Sequence, residues 1–305
     1  MFRFILRRLL TLVPVLWVII TLTFFLVRLA PGGPFDGERQ VSPQTVKQLE
    51  AAYNLDAPLH RQYFDYLSGV VQGDLGPSFK KSSRSVAEWI QLRFPVSIEL
   101  GLYGLLVALS IGLFAGLLAS LRPNTSTDYA PMSLAMVGIC IPNFVLGPLL
   151  VLVFALWLDW LPVKGWRAPE EKILPAITLG AAYAAYVARL TRGGMLEVLA
   201  QDFIRTARAK GLRESSVVLK HGLRGGIQPV VSFLGPATAG LLTGSFVVEH
   251  IFQVPGLGRE FIEAAFNRDY TMIIGAVLVY ATLVLLLNLL ADLIHAWLDP
   301  RIRAT

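Results

Sequence analysis

Charged residues are scarce in this chain of 305 residues. Only 16% of the residues are Asp, Glu, Lys or Arg, 54% are hydrophobic, and the mean hydropathy is +0.59. Because soluble globular domains carry roughly 25% charged residues, this composition argues against a soluble protein and predicts a membrane protein. The formal net charge is +6, but the basic residues stand beside apolar segments rather than along an aromatic-lined groove. That distribution argues against nucleic-acid binding.

Cysteine and the short signatures of catalysis are also nearly absent. The single cysteine, Cys140, lies in an apolar run and cannot form an intramolecular disulfide. The sequence contains no G-x-x-x-x-G-K-[ST], H-E-x-x-H or G-x-S-x-G motif, so it lacks the marks of a P-loop ATPase, a zinc protease or a serine hydrolase. The four histidines show no short metal-binding spacing. We therefore predict no catalytic residue, no metal site and no cofactor bound by this chain, which is not an enzyme.

Acidic residues are missing from the middle of the apolar segments. An ionisable group inside a membrane usually marks a proton or ion path, so a proton-driven antiporter would be expected to carry one there. The charged residues that do occur, Arg28, Glu99, Arg189 and Asp292, lie near segment ends. We interpret them as interfacial anchors, and we expect Arg189 to turn outward towards the headgroups.

Six apolar segments are each long enough to cross a bilayer as a helix, which takes about 20 residues. They cover 9–30, 100–121, 129–158, 173–190, 230–248 and 271–291. The first is longer than the roughly 7 to 15 apolar residues of a signal peptide, so we expect it to be retained. The third contains Pro131, Pro142 and Pro148 and must be kinked, tilted or partly interfacial.

Basic residues cluster on one side of the predicted membrane. The segment between the fourth and fifth spans is rich in them, and the N-terminal flank of the first span and the C-terminal end fall on the same side if six helices alternate. The positive-inside rule makes this side cytoplasmic, with both termini there. We expect the N-terminus and first helix at 1–30, an extracytoplasmic lobe at 31–95, and a membrane core at 96–305 with a cytoplasmic loop at 191–226.

The lobe is predicted to hold two short helices followed by a loop at GDLGPS, residues 73–78. The first helix follows Ser42 and Pro43, where Val46, Leu49 and Tyr53 recur at helical spacing. The second helix covers RQYFDYLSGVV at 61–71, which repeats the pattern.

The cytoplasmic loop contains a basic segment with a helical pattern. Its apolar face is predicted to consist of Ala200, Phe203, Ile204, Ala207 and Gly211, with charged residues elsewhere around the helix. Gly211 offers a helix stop, and the SSVVLKHGL that follows is expected to begin a second helix with serine at its cap. A face of alanine and glycine suits docking into a protein groove better than insertion into lipid.

The stretch R-T-A-R-A-K-G at 205–211 resembles the E-A-A-x-x-x-G signature of ABC importer membrane subunits, which lies between the same two spans. Arg205 replaces the glutamate, whereas Ala207 and Gly211 match. Leu223 is kept from the I-x-L-P that usually follows. The variant is typical of the peptide-importing branch, which often has a proline at the position of Gly225.

Further segments resemble the B-type permease subunit of oligopeptide and dipeptide importers, in the peptide/nickel permease family. They are RLAPGGPF at 28–35, LDAPL at 55–59, GDLGPSFK at 73–80, VPGLG at 254–258, R-D-Y at 268–270 and D-P-R at 299–301. The GPSFK run and the GER at 37–39 favour the oligopeptide type.

This resemblance implies an all-α, six-helix type I ABC importer permease in the bacterial inner membrane. It implies four kinds of partner: the lipid bilayer, a second homologous permease, two cytoplasmic ATPases that bind ATP and magnesium, and an extracytoplasmic peptide-binding protein. It also implies an ATPase-contacting coupling helix of Phe203, Ile204, Arg205, Thr206, Ala207, Arg208, Lys210 and Gly211, in which we expect Ala207 and Gly211 to be the sensitive positions. Contact with the peptide-binding protein is predicted for the lobe and for a tight turn at Pro255, Gly256, Leu257 and Gly258.

Two alternatives remain open. The same family imports nickel, and nothing in the sequence excludes metal or another small solute as cargo. A stand-alone secondary transporter is the alternative from a different class, and it would transport without ATPases.

Overall fold

A computed structural model describes residues 2–35, 43–81 and 83–298. In these ranges the chain forms fourteen α-helices, two π-helical segments and one isolated β-bridge between Pro77 and Ser85. The α-helices are α1 (Phe2–Leu29), α2 (Pro43–Ala52), α3 (Leu59–Val71), α4 (Val86–Leu121), α5 (Ser126–Cys140), α6 (Asn143–Leu150), α7 (Glu170–Leu199), α8 (Asp202–Ala209), α9 (Glu214–Ser216), α10 (Leu223–Gly226), α11 (Gln228–Thr243), α12 (Phe246–Ile251), α13 (Leu257–Asn267) and α14 (Tyr270–Leu298). The predicted features at Ser42, at 37–39 and at 299–301 lie outside the described residues.

Five helical stretches in the described ranges are long and apolar enough to cross a membrane. They are Leu10–Leu29, Val86–Leu121, Glu170–Leu199, Gln228–Ile251 and Tyr270–Ala291. A bent pair of helices raises the number to six if it counts as one span. Each predicted segment corresponds to one of these, but α4 begins at Val86 and continues through Pro95. The predicted lobe boundary at residue 95 therefore falls inside a helix, which tolerates the single hydrogen bond lost at Pro95 because its neighbours keep theirs.

The third predicted span is broken, as its prolines indicate. Helices α5 and α6 meet at an angle of 112°. Pro142 has no amide hydrogen and disfavours helical geometry in the residue before it, and Ile141 accordingly has extended backbone angles, φ −89° and ψ 117°. The π-helical segment Val151–Trp157 follows α6 directly.

The chain divides into two compact units. Unit 1 comprises 1–97 and 255–286, and unit 2 comprises 98–254 and 287–305. Unit 1 includes the predicted lobe, whose helices α2 and α3 are both confirmed. The predicted apolar face of α2, Val46, Leu49 and Tyr53, packs against buried aromatic rings that include Phe79 and Tyr270. The lobe thus shares its core with α14 instead of forming a domain of its own.

Two charged residues near the predicted span ends have protein partners. In unit 2, the Glu99 carboxylate lies 2.6 Å from Lys172 Nζ and accepts a 3.0 Å hydrogen bond from the Trp166 indole. In unit 1, the Arg28 guanidinium of α1 donates a 3.2 Å hydrogen bond to the side-chain oxygen of Gln62 in α3. Their role extends beyond interfacial anchoring, since these contacts hold elements within each unit together.

Asp269 is a buried carboxylate at the start of α14 in unit 1, and it is 3% exposed. It accepts hydrogen bonds from the Ser78 hydroxyl and, at 3.2 Å, from the Phe79 amide. The Met272 amide lies 3.4 Å from the same carboxylate. Asp269 therefore fixes the loop between α3 and α4 to the start of α14.

Replacing Asp269 with alanine is expected to release this loop. The change leaves buried donors at Ser78 and Phe79 without an acceptor, which costs about 2–3 kcal/mol. Hydrogen exchange of the amides at 77–81 should become faster in the Asp269→Ala protein. Asp65→Ala removes an exposed carboxylate from α3 of the same unit and should leave this exchange unchanged. Equal exchange in the two variants would contradict the assigned role.

Small residues in unit 2 bring α4 and α7 into close contact. A side chain added at Gly112 would lie 2.6 Å from both the Ala184 carbonyl oxygen and Val187 Cβ. At Gly116 it would meet the Ala188 carbonyl oxygen and lie 2.6 Å from Thr191 Cβ. The G-x-x-x-G pattern of this span therefore serves packing within the chain.

Candidate functional site

The predicted cytoplasmic loop of unit 2 forms a helical hairpin. Helix α8 is followed by a turn, by α9, by the π-helical segment Val217–Gly222 and by α10. Gly211 has φ +76°, a left-handed conformation that L side chains rarely adopt, and its amide donates a 2.9 Å hydrogen bond to the Arg208 carbonyl. The predicted helix stop at Gly211 is confirmed. The predicted serine cap is wrong, because α9 begins at Glu214 and Arg213 occupies the cap position.

Only two of the five residues predicted to form an apolar face are buried. Ile204 is 0% and Ala207 is 7% exposed, and both pack against Val217 and Leu199. Phe203 is 47% exposed, and Ala200 and Gly211 are also exposed. The buried stripe is narrow because α8 has eight residues and a single returning segment covers it.

Arg208 and Glu214 join the two arms of the hairpin across the turn. The Arg208 guanidinium donates to both carboxylate oxygens, at 2.6 Å and 3.1 Å. These hydrogen bonds raise the pKa of Arg208 and lower the pKa of Glu214. A carboxyl whose pKa is lowered on folding stabilises the fold above its unfolded pKa and loses this effect as the pH falls, so the ion pair is intact at neutral pH.

The outer face of α8 consists of Phe203, Arg205, Thr206 and Lys210, all of which are exposed. The Arg205 side chain is 73% exposed and donates at 3.1 Å to Asp202, one turn earlier. Phe203 borders a groove of about 480 Å³ that is also lined by residues of α7 and α11. A half-exposed aromatic ring in a basic surface has the character of an anchor for a protein partner.

Close backbone packing attaches the hairpin to the end of α7. A side chain added at Gly226 would lie 3.1 Å from Met195 Cα, and one added at Gly222 would lie 3.2 Å from both Leu199 and Met195 side-chain atoms. A side chain at Gly226 would be tight against the Met195 backbone, whereas one at Gly222 would press against the ends of two flexible side chains. The hairpin is therefore packed closely against the end of α7.

The segment Pro255 to Gly258, predicted as a tight turn that contacts the peptide-binding protein, is mostly buried in unit 1. Leu257 is 0% exposed, and Gly256 and Gly258 are buried. The Leu257 amide donates at 2.9 Å to the Ser97 hydroxyl, and Leu257 begins α13. The interpretation as a contact surface is corrected, because these side chains belong to the core of the unit.

Ala207→Glu separates the packing role of this residue from any contact with a partner. The new carboxylate would enter the apolar cluster of Ile204 and Val217, at a cost of about 3 kcal/mol. We expect loss of hydrogen-exchange protection over 202–224 in the isolated chain. Thr206→Glu places the same charge on the neighbouring exposed position and should keep protection. Protection that survives in Ala207→Glu would show that Ala207 does not hold the hairpin together.

Comparison with known proteins gives matches along the whole chain. The family model described as "Binding-prot-dependent transport system membrane comp, N-term" matches 1–101, and "Binding-protein-dependent transport system inner membrane component" matches 108–304. The chain is 47% identical over 305 residues to the oligopeptide transport system permease protein OppB of Haemophilus influenzae, which covers 99% of this chain and 100% of the relative. Identity is 45% over 303 residues to the dipeptide transport system permease protein DppB of Bacillus subtilis, with 99% and 98% covered.

Solved structures match the fold at lower identity. An amino acid ABC transporter crystallised with histidines gives a TM-score of 0.53 at 18% identity and covers 68% of this chain and 92% of that one. An inward-facing structure of the MetNI methionine ABC transporter gives 0.53 at 17% identity, with 70% and 95% covered. The chain therefore belongs to the binding-protein-dependent transport system inner membrane component family and has the fold of a type I ABC importer permease.

Proposed function

We propose that this chain is one membrane-spanning subunit of an ATP-driven importer and forms half of the translocation path for oligopeptides. The support for peptide cargo is full-length similarity to permeases named for oligopeptide and dipeptide transport. The protein is a multi-pass protein of the bacterial inner membrane with both termini in the cytoplasm. It works with a second homologous permease and an extracytoplasmic peptide-binding protein, and two partner ATPases bind ATP and magnesium.

The observation that carries this proposal is the hairpin of unit 2. Its outer face is exposed and basic, while its inner face is fixed to α7 by Ile204, Ala207 and the close contacts at Gly222 and Gly226. A partner ATPase that binds the outer face would transmit its movement to α7 through the residues of the hairpin that pack against the end of α7. ATP-driven closure of the ATPases would in this way shift the spans between inward- and outward-facing states.

Contact with the peptide-binding protein is proposed for the lobe between α1 and α4. Pro255 to Gly258 are left out of this contact because they are mostly buried. The lobe helices α2 and α3 have exposed positions along their length.

Copurification and reconstitution test the proposed function. The full chain, tagged and expressed with its neighbouring genes, should bring down a second permease and two ATPase chains. Vesicles that contain this complex and the peptide-binding protein should take up peptide only when ATP is present on the side of the membrane where the ATPases lie. Uptake inhibited by Ni²⁺ and not by peptides would assign metal as cargo. Transport by the purified chain alone would overturn the importer assignment.

A further inference from the structure

Two polar side chains are the exposed positions in the middle of α7. Tyr186 is 44% exposed and Arg189 is also exposed. All the remaining residues from Leu174 to Arg192 are buried or half-buried. Helix α4 in the same unit exposes mainly apolar side chains, such as Leu106 and Phe114. Lipid favours apolar residues at exposed positions and penalises arginine strongly. The exposed strip of α7 therefore has the character of a surface that faces water or a polar partner.

The Arg189 side chain lies across α5. Its Nη2 atom is 2.9 Å from the Met136 sulfur, and it lines a cavity of about 340 Å³ between α5 and α7. Methionines and Ile139 form much of the wall, and Asp128 and Arg192 line it too. The expectation that Arg189 turns outward to the headgroups does not fit this geometry. The volume lies within the roughly 300–1,000 Å³ range of small-ligand pockets.

The charges in this cavity do not balance. Arg192 donates to both carboxylate oxygens of Asp128, at 2.6 Å and 2.7 Å, and the Asn124 amide donates to the same carboxylate at 2.9 Å. Arg192 therefore neutralises Asp128. In the part of the chain that the structure describes, no carboxylate lies within 4.0 Å of the Arg189 guanidinium. The cavity presents one guanidinium without an acidic partner, next to flexible apolar walls.

We propose that this cavity is a transit site for the free C-terminal carboxylate of a cargo peptide, with Arg189 as the residue that binds it. The proposal rests on the proposed transport of peptides. Every unmodified peptide ends in a carboxylate, so one planar guanidinium can engage cargo of any sequence through paired hydrogen bonds. Met132 and Met136 add an adaptable surface for the variable side chain beside it. The site binds cargo transiently and does not select its sequence, which a path for varied peptides requires.

A comparison of two peptides in two proteins tests this site. The complete reconstituted complex with its peptide-binding protein is supplied with radiolabelled trialanine or with trialanine amide, which lacks the carboxylate. Arg189→Gln should lower the ratio of trialanine uptake to amide uptake about tenfold, the size expected for losing a charge-assisted hydrogen bond. Discrimination by the peptide-binding protein cancels because it is the same in both complexes. Arg189→Lys keeps the charge but loses the planar fork, and it should give an intermediate ratio.

The outcomes separate the site from the proposed function. If Arg189→Gln lowers the uptake of both peptides equally, Arg189 does not bind the carboxylate and the proposal is overturned. If the defect depends on the fraction of phosphatidylglycerol in the vesicles, and not on the peptide terminus, the guanidinium binds lipid phosphate and the proposal is also overturned. If the wild-type complex imports neither peptide, peptide transport itself fails. Copurification of all subunits with Arg189→Lys shows that the complex tolerates a change at this position.

Discussion

Gly116→Val is expected to abolish accumulation of the folded chain in the membrane. Any side chain at residue 116 meets the Ala188 carbonyl oxygen and the Thr191 side chain, which is 0% exposed. The backbone of α7 cannot move aside locally because its neighbouring residues are packed on several sides. Forcing three carbon atoms into this contact costs about 3 kcal/mol or more, a large share of the stability of a typical domain. The amount of chain in membrane fractions and the thermal stability in detergent measure the effect.

Gly193→Val is the matched control for this prediction. Gly193 is in α7, where an added Cβ meets no atom within 4 Å. Valine has a better helix propensity than glycine, so the chain should accumulate normally. Equal amounts of the two variants in membrane fractions, with equal thermal stability, would contradict the assigned packing. A Gly116→Val chain that is stable alone but no longer binds the second permease would instead place this glycine at a subunit contact.

Phe203→Asp is expected to weaken the binding of the ATPases to this chain. Phe203 is the large apolar residue on the outer face of α8, where we propose that an ATPase binds. A carboxylate there would remove apolar contact area and add a charge to the proposed interface. We expect a loss of about 2 kcal/mol, which is roughly a 30-fold weaker association. ATPase that copurifies with the chain, and ATP hydrolysis stimulated by the loaded peptide-binding protein, should both fall.

Phe266→Asp provides the comparison. Phe266 is 81% exposed in α13, and the predicted alternation of the spans places this segment outside the cytoplasm. The same substitution there should leave the amount of bound ATPase unchanged. Normal ATPase binding and stimulation in Phe203→Asp would overturn the proposed role of the outer face. Loss in both variants would indicate a general folding defect.

The sequence correctly predicted where the first helix of the hairpin stops. It was partly wrong about which residues of that helix are buried and which are exposed. The stop at Gly211 follows from backbone geometry alone, since left-handed φ favours glycine. The inward orientation of Ala207 depends on Val217, which the chain brings back only after the turn. Helical spacing places Ala207 on an apolar face, but it does not say whether a partner protein or the chain's own return segment covers that face. Ala207 is consequently a packing residue within the chain, and we propose the exposed Phe203 in its place as the anchor for an ATPase.

A similar distinction applies to Arg189 and to Leu257. The sequence shows an arginine near the end of an apolar segment, and interfacial anchoring is the simplest interpretation. The cavity that its side chain lines is formed by residues of α5 and α7 together, which no local pattern reveals. Glycines around Leu257 suggested a tight turn available to the peptide-binding protein, whereas the structure buries Leu257 in an apolar cluster, with its amide bonded to the Ser97 hydroxyl.

The sequence by itself determined that the chain has about six apolar segments of membrane-spanning length and where most of these helices lie, and it predicts which segment reaches towards the cytoplasm. These properties follow from runs of apolar residues, from prolines and from basic flanks, all of which act over a few neighbouring residues. Only the tertiary structure decided which side of each helix is covered, which charges are paired and where a cavity remains. Those outcomes depend on residues far apart in the chain, because burial and electrostatic pairing are properties of surfaces that meet only after folding.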